Sequence, residues 1–211
     1  MADFNLISFF TNGGLATIFI GIAALFLCVL GFERLMTLYV RYSKSTGSAL
    51  ERIRSLVLSQ DYTQALQVCN SNSSAPDLAV VKAGLMAVEN GREAMKSALS
   101  GAVLDVSQKT EKRLPYIGLV ANVATLLGLL GTITGLIKTF ASLANLDPAE
   151  KAKQLGAGIS QAMLSTTAGL VVGITAMVIY TFCVSKSDSI VGQAQDSGLK
   201  LITWVEQSER A

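Results

Sequence analysis

Residues 114–140 read LPYIGLVANVATLLGLLGTITGLIKTF. From Pro115 to Ile137 the run carries no charge over 23 residues, and about 20 apolar residues are enough for a helix to cross a bilayer. At about 100° per residue, Thr125, Gly128, Thr132, Gly135 and Thr139 fall within a sector about 80° wide. The other faces are mainly Leu, Ile and Val. Small residues let helices approach closely in lipid, and hydroxyls bond across the contact. Tight packing accounts for the glycines, and threonines can satisfy their hydroxyls on their own backbone. A row of several threonines also suits a polar pathway or a moving interface.

Two further runs have the same character. Phe4–Phe32 is uncharged over 29 residues and Gln154–Ser185 over 32. A soluble domain of 211 residues rarely holds three such runs. Composition agrees: 51% of residues are hydrophobic and 15% charged, against about 25% charged in an average soluble chain. The expected fold is therefore an all-α membrane protein with three transmembrane helices, and a water-soluble enzyme or a disordered chain is excluded. The first run lacks the basic n-region of a secretory signal. It reads as a retained helix from about Gly14 to about Tyr39.

The third run contains GISQAMLSTTAGLVVGIT at 158–175. Gln161, Ser165, Ala168, Val172 and Thr175 share one face, and Ser165, Gly169 and Gly173 form a ladder of small residues beside it. Gln161 is the most polar side chain of the run, and a polar group at membrane depth is a functional candidate by default. Asp147 reads as an N-cap with Pro148 at the first helical position. The third helix is thus expected to begin in the preceding loop.

Eleven Lys and Arg lie between the first and second runs, from Arg34 to Arg113, and none precedes the first. Basic flanks favour the cytoplasm. The expected organisation is an N-terminal segment and first membrane helix over 1–42, a cytoplasmic helical loop over 43–113, and a second membrane helix over 114–142. A short outer loop over 143–157, a third membrane helix over 158–185 and a cytoplasmic tail over 186–211 follow. The loop reads as amphipathic helices. One covers Ser48–Leu58, a second is capped by Asp61, and Asn70–Ala75 breaks the pattern. Pro76 opens a third, which ends near Asn90-Gly91. A fourth starts at Arg92 with Met95, Leu99, Val103 and Val106 on one face.

Histidine is absent, and Cys28, Cys69 and Cys183 stand apart with no C-x-x-C spacing. No metal site, cofactor or nucleophile–base pair is read, and a net charge of +2 does not suggest nucleic-acid binding. The second and third runs hold no carboxylate, and the charged group at the outer end of the second is Lys138. A membrane proton relay usually uses Asp, Glu or His. Any proton this chain helps to move finds its titrating group on another chain.

The stretches Leu126-Leu127-Gly128-Leu129-Leu130-Gly131-Thr132 with Gly135, and Gly158-Ile159-Ser160-Gln161-Ala162-Met163 with Thr166 and Gly169-Leu170, resemble the ExbB/TolQ/MotA family of ion-channel subunits. Three spans resemble its ExbB/TolQ branch. The resemblance implies a bacterial inner-membrane protein with its N-terminus periplasmic and C-terminus cytoplasmic. It implies a homopentamer around a single-span, ExbD/TolR-like partner whose membrane aspartate takes protons, with work passed to a TonB/TolA-like protein. Thr132 and Thr166 correspond to the threonines that line the channel, with Gln161, Thr125 and Ser165 nearby. Gly128, Gly131, Gly135, Gly169 and Gly173 are helix-packing positions. The sequence departs from the pattern at Gln161, where ExbB and TolQ usually carry glutamate, and at Thr125 and Thr175, where proline is usual. An amide hydrogen-bonds but does not titrate. Sodium is therefore an alternative coupling ion. A motility stator and a non-conducting membrane scaffold are the alternative functions.

Overall fold

The computed structural model describes residues 14–42, 46–71, 75–143 and 147–210. The first part of the N-terminal segment, and the centre of the Asn70–Ala75 break, lie outside these residues. Among the described residues every regular element is helical. Helix α1 is Gly14–Met36, followed by a π-helical turn at Thr37–Arg41. Then come α2 (Gly47–Leu58), α3 (Tyr62–Ser71), α4 (Pro76–Ala87) and α5 (Arg92–Glu111). The last two are α6 (Leu114–Ser142) and α7 (Pro148–Arg210). Ala16–Val40, Arg92–Ser142 and Pro148–Glu209 each contain a window long and apolar enough to cross a membrane.

The chain divides into two compact units. One comprises Met1–Phe32 with Arg113–Thr181, the other Glu33–Lys112 with Phe182–Ala211. The first buries mostly small residues, with a few large ones such as Leu27 and Ile117, and exposes many large ones. Its buried positions include Ala16, Thr17 and Ile20 of α1, Ala121, Ala124, Gly128 and Gly131 of α6, and Ala162 and Ser165 of α7. Phe19, Leu25, Leu126, Ile137, Met163 and Ile174 stand exposed. In water such a surface is an aggregation hazard. In lipid it is the expected arrangement, because large aliphatic side chains gain nothing by hiding from acyl chains while small ones let backbones meet.

The second unit packs as a soluble bundle. Ile53 and Val57 of α2, Ala65 and Cys69 of α3, Leu78 and Val81 of α4, and Met95 and Leu99 of α5 are buried. The loop helices begin and end where local chemistry requires. The backbone N–H of Gln64 donates to Asp61 Oδ1 at 3.0 Å, capping α3, and the Gln64 amide donates to Asp61 Oδ2 at 2.7 Å. Helix α2 stops in a Schellman turn, with Asp61 N–H on Leu56 O at 2.9 Å and Gln60 N–H on Val57 O at 3.0 Å. Gln60 takes the left-handed conformation there (φ 60°), and its side-chain amide reaches Ser208 O at 2.9 Å. Ala75 is extended before Pro76, as a residue preceding proline must be. Burial pushes the Cys69 thiol up to about 11, so at neutral pH it is a packed, protonated side chain.

The third membrane helix begins at Pro148, inside the segment 143–157 read as a loop, and residues 186–210 continue it as helix. The end of α7 belongs to the bundle. Cys183, Ser187, Ile190, Ala194, Ser197, Leu201, Trp204 and Ser208 are all buried, alternating three- and four-residue steps. A Cβ on Gly84 would lie 2.6 Å from side-chain carbons of Leu201 and Leu99, and Arg92 pairs with Glu206. Leu201→Ala is expected to cost about 2–5 kcal/mol, the usual range for emptying a fully buried leucine site. A thermal-unfolding midpoint unchanged from wild type would show that the C-terminal segment is not part of this core.

Candidate functional site

Within the membrane-helix unit, α6 and α7 come together through glycine. A Cβ on Gly128 would lie 3.1 Å from both Gly169 Cα and Ser165 O and 3.2 Å from Thr166 Cα. A Cβ on Gly169 would meet Ala124 O at 2.5 Å and Gly128 Cα at 2.8 Å. A methyl at Gly169 would force the backbones apart, and one at Gly128 would press tightly on the facing backbone, so backbone lies directly against backbone.

This approach brings the two threonines into register. Thr132 and Thr166 join hydroxyl to hydroxyl across the contact. Thr132 Oγ1 also lies 3.2 Å from Gly128 O and 3.2 Å from Ala162 O, and Thr166 Oγ1 lies 3.2 Å from Gly128 O. Gly128 thus acts twice. Its missing side chain admits α7, and its carbonyl lies 3.2 Å from both hydroxyls, an acceptor for whichever proton the hydroxyl pair leaves free. Both threonines remain half-buried, so the cluster is reachable from one side.

The rest of the stripe follows α7 in both directions. A Cβ on Gly135 would lie 3.2 Å from Ala162 Cβ, and Thr139 closes against Gly158. Thr125 donates to Ala121 O at 3.0 Å, and its hydroxyl fills the space that a Cβ on Gly173 would need. All five stripe positions therefore meet the same neighbour. Gly131 and Ser165 lie deeper, at the junction with α1. A Cβ on Gly131 would stand 2.8 Å from Ser165 Cβ and 3.1 Å from Ala16 Cβ. Ser165 is 3% exposed and sits in a packed seam. Gln161 stands on the exposed side of α7, as does Thr175, whose hydroxyl donates to Val171 O at 2.7 Å. The face drawn through Gln161, Ser165 and Thr175 therefore straddles the edge of the contact, with Ser165 inside and the other two outside.

Three contributors escape a reading of the sequence: Gly158 opposite Thr139, Ala162, and the Ala16-Thr17 pair of α1. The last two have a modest signal. Ala162 extends the ladder through Ser165 and Gly169 by one turn, and Ala16-Thr17 are small residues in a helix otherwise rich in Leu, Ile and Phe.

Chemically, the cluster offers hydroxyls and carbonyl oxygens and no group that titrates near neutral pH. It can donate to an anion, accept from a proton carrier or coordinate a small cation. Among the described residues no group of three His, Cys, Asp or Glu is placed to hold a metal ion. The contact gives a direct expectation. Gly169→Val should force α6 and α7 apart and cost at least the ~1–3 kcal/mol typical of overpacking. Gly156→Ala should be neutral or slightly stabilising, since a Cβ at Gly156 meets nothing within 4 Å. Thermal unfolding of both purified variants checks this, and equal midpoints would show that the glycine contact does not hold the helices together.

Comparison with known proteins supports the same segment. Residues 72–196 match the profile of the MotA/TolQ/ExbB proton channel family. The Tol-Pal system protein TolQ of Pseudomonas aeruginosa is 29% identical over 101 residues, 48% of this chain and 43% of its own. The biopolymer transport protein ExbB of Aquifex aeolicus is 33% identical over 81 residues, 38% of this chain and 54% of its own. A protein named as an ExbB homolog in Methanothermobacter thermautotrophicus is 22% identical over 192 residues, 90% of this chain and 67% of its own. The matched stretch of this chain thus spans about half the length of the first two relatives or less. The profile match takes in all of α6 and the part of α7 that faces it, so the helices that form the threonine cluster are the ones that place the chain: it belongs to the MotA/TolQ/ExbB proton channel family.

Proposed function

We propose that this chain is the ion-channel subunit of an ExbB/TolQ-like motor in a bacterial inner membrane, working as a homopentamer around a single-span partner of the ExbD/TolR type. The observation that carries the reading is the Thr132–Thr166 hydroxyl pair. It is held in a membrane-helix contact whose uncharged runs contain no carboxylate. Hydroxyls relay and orient hydrogen bonds but do not store a proton at neutral pH. A proton crossing at this depth therefore pauses on an acid from elsewhere, and an aspartate on the partner's helix supplies it. When that carboxylate approaches the open side of the cluster, Thr132 and Thr166 exchange their mutual bond for bonds to it. The same donors then favour its ionised form over its protonated form.

The names of two relatives, a Tol-Pal system protein and a biopolymer transport protein, point to work done on the cell envelope. In this reading ion flow drives movement of the partner, which acts on envelope transport. The basic loop 43–113 lies in the cytoplasm, as basic flanks favour, and the segment between α6 and α7 lies in the periplasm. Gln161, on the exposed side of α7, borders the pathway and contributes an amide where a carboxylate would add a second titrating site.

Thr132→Ala and Thr166→Ala are expected to lower proton flux through the co-expressed channel about 10²-fold, the lower end of the range for losing a positioned proton-transfer group. The oligomer stays assembled. Flux is read with a pH-sensitive dye in vesicles, and assembly by size-exclusion chromatography. Two assembled variants with wild-type flux would sink the assignment. Gln161→Glu places a titratable carboxyl beside the pathway and should give flux a new pH dependence. An unaltered pH profile would put Gln161 off the route. Repeating the measurement with sodium in place of a pH gradient identifies the coupling ion.

A further inference from the structure

Arg34 is the one charged side chain that is buried among the described residues, with 4% exposure. It lies near the end of α1, just after the first uncharged run closes at Phe32. An arginine does not escape burial by losing its proton, so its charge needs an anion or a set of acceptors. Its Nε–H reaches none. Glu33, the adjacent residue, lies about 100° round the helix and has interactions of its own. The facing element is α7, whose Lys186 ammonium lies over the Tyr39 ring just past the end of α1 and whose Cys183 is fully buried. One turn further along, Ser187 is 1% exposed, and its hydroxyl also lacks a partner. A guanidinium with an unpaired N–H and an unpaired hydroxyl are therefore buried on facing helices where the third uncharged run ends, at Ser185.

The surroundings are those of a membrane interface. Met36, Tyr39 and Phe182 are exposed. The Lys186 ammonium lies 5.4 Å from the centroid of the Tyr39 ring. Aromatic and basic side chains gather at headgroup depth because one end of each prefers hydrocarbon and the other water.

We propose that Arg34 and Ser187 form a receiving site for the phosphate of an anionic phospholipid. Guanidinium geometry matches two phosphate oxygens at once, and charge-assisted bonds of this kind are the strong ones. The occupant is a lipid because the medium at this depth is the headgroup layer, where phosphate is concentrated, and the cytoplasmic leaflet is the anionic one. Bound there, the lipid neutralises Arg34 and links α1 to α7 at the bilayer edge. The inference rests on the orientation proposed above. Its readout is lipid occupancy, so its failure leaves the channel reading untouched.

The test is native mass spectrometry of the full-length oligomer in detergent, with phosphatidylglycerol, phosphatidylcholine or inorganic phosphate added separately. Phosphatidylglycerol should remain bound, and neither phosphatidylcholine nor inorganic phosphate should displace it. Arg34→Gln should weaken phosphatidylglycerol roughly tenfold, equivalent to about 1.4 kcal/mol. Arg34→Lys keeps the charge but loses the fork, and it should weaken binding by a smaller factor. Ser187→Ala should also weaken binding. Equal retention of phosphatidylcholine, or full displacement by inorganic phosphate, would overturn the lipid assignment. So would wild-type phosphatidylglycerol affinity in Arg34→Gln. If Arg34→Gln does not assemble, Arg34→Lys and Ser187→Ala take its place, and unchanged affinity in both overturns the site.

Discussion

The α6–α7 contact depends on how closely two backbones approach at Gly128 and Gly169. In a bilayer there is little hydrophobic force between helices, since acyl chains are as apolar as leucine. What remains is dispersion at short range and hydrogen bonding across the contact. Both require small residues, and a Cβ on either glycine would fall within about 3 Å of the opposing backbone. The close approach has a polar consequence. It leaves the Gly128 carbonyl open to both threonine hydroxyls, so packing and the candidate pathway are one feature seen from two sides.

That coupling explains the division of labour between the two units. The membrane-helix unit is sparse in charge and brings hydroxyls, not acids, to the contact between α6 and α7. The bundle unit follows the opposite rule, with buried aliphatics inside and ion pairs such as Arg92–Glu206 and Lys200–Asp196 at its surface. One helix, α7, serves both by changing what it buries. Around residues 162–176 it presents Ala, Ser and Gly, and near its C-terminal end it presents Leu201, Trp204 and Val205. Within each unit its buried positions follow helical spacing, and their chemistry differs between the two.

Much of this is legible from residue order. The three uncharged runs, the Gly/Thr stripe and the capped loop helices rest on local periodicity and local hydrogen bonds, and these are written in the chain. The C-terminal segment is harder to read. Its buried positions include Ser187, Ala194, Ser197 and Ser208, which no hydropathy pattern marks as core. Near Gly198, the neighbouring Leu99 and Val80 leave room only for a small residue. Ser165 shows a related limit. Helical spacing puts it on one face with Gln161, but a small rotation decides whether a serine looks into a packed seam or out of it.

Residue order alone establishes that the chain carries three uncharged runs long enough to cross a membrane, and that those runs contain no acid. Those are properties of composition along a line, and no folding can change them. Tertiary structure decided which hydroxyls meet. Thr132 and Thr166 are 34 positions apart, and their contact depends on the facing glycines at 128 and 169 bringing two helices to backbone distance. It also decided that Arg34 would be buried against α7 without an acceptor for its Nε–H, because burial of a side chain is set by the helix packed against it and not by its own neighbours in sequence.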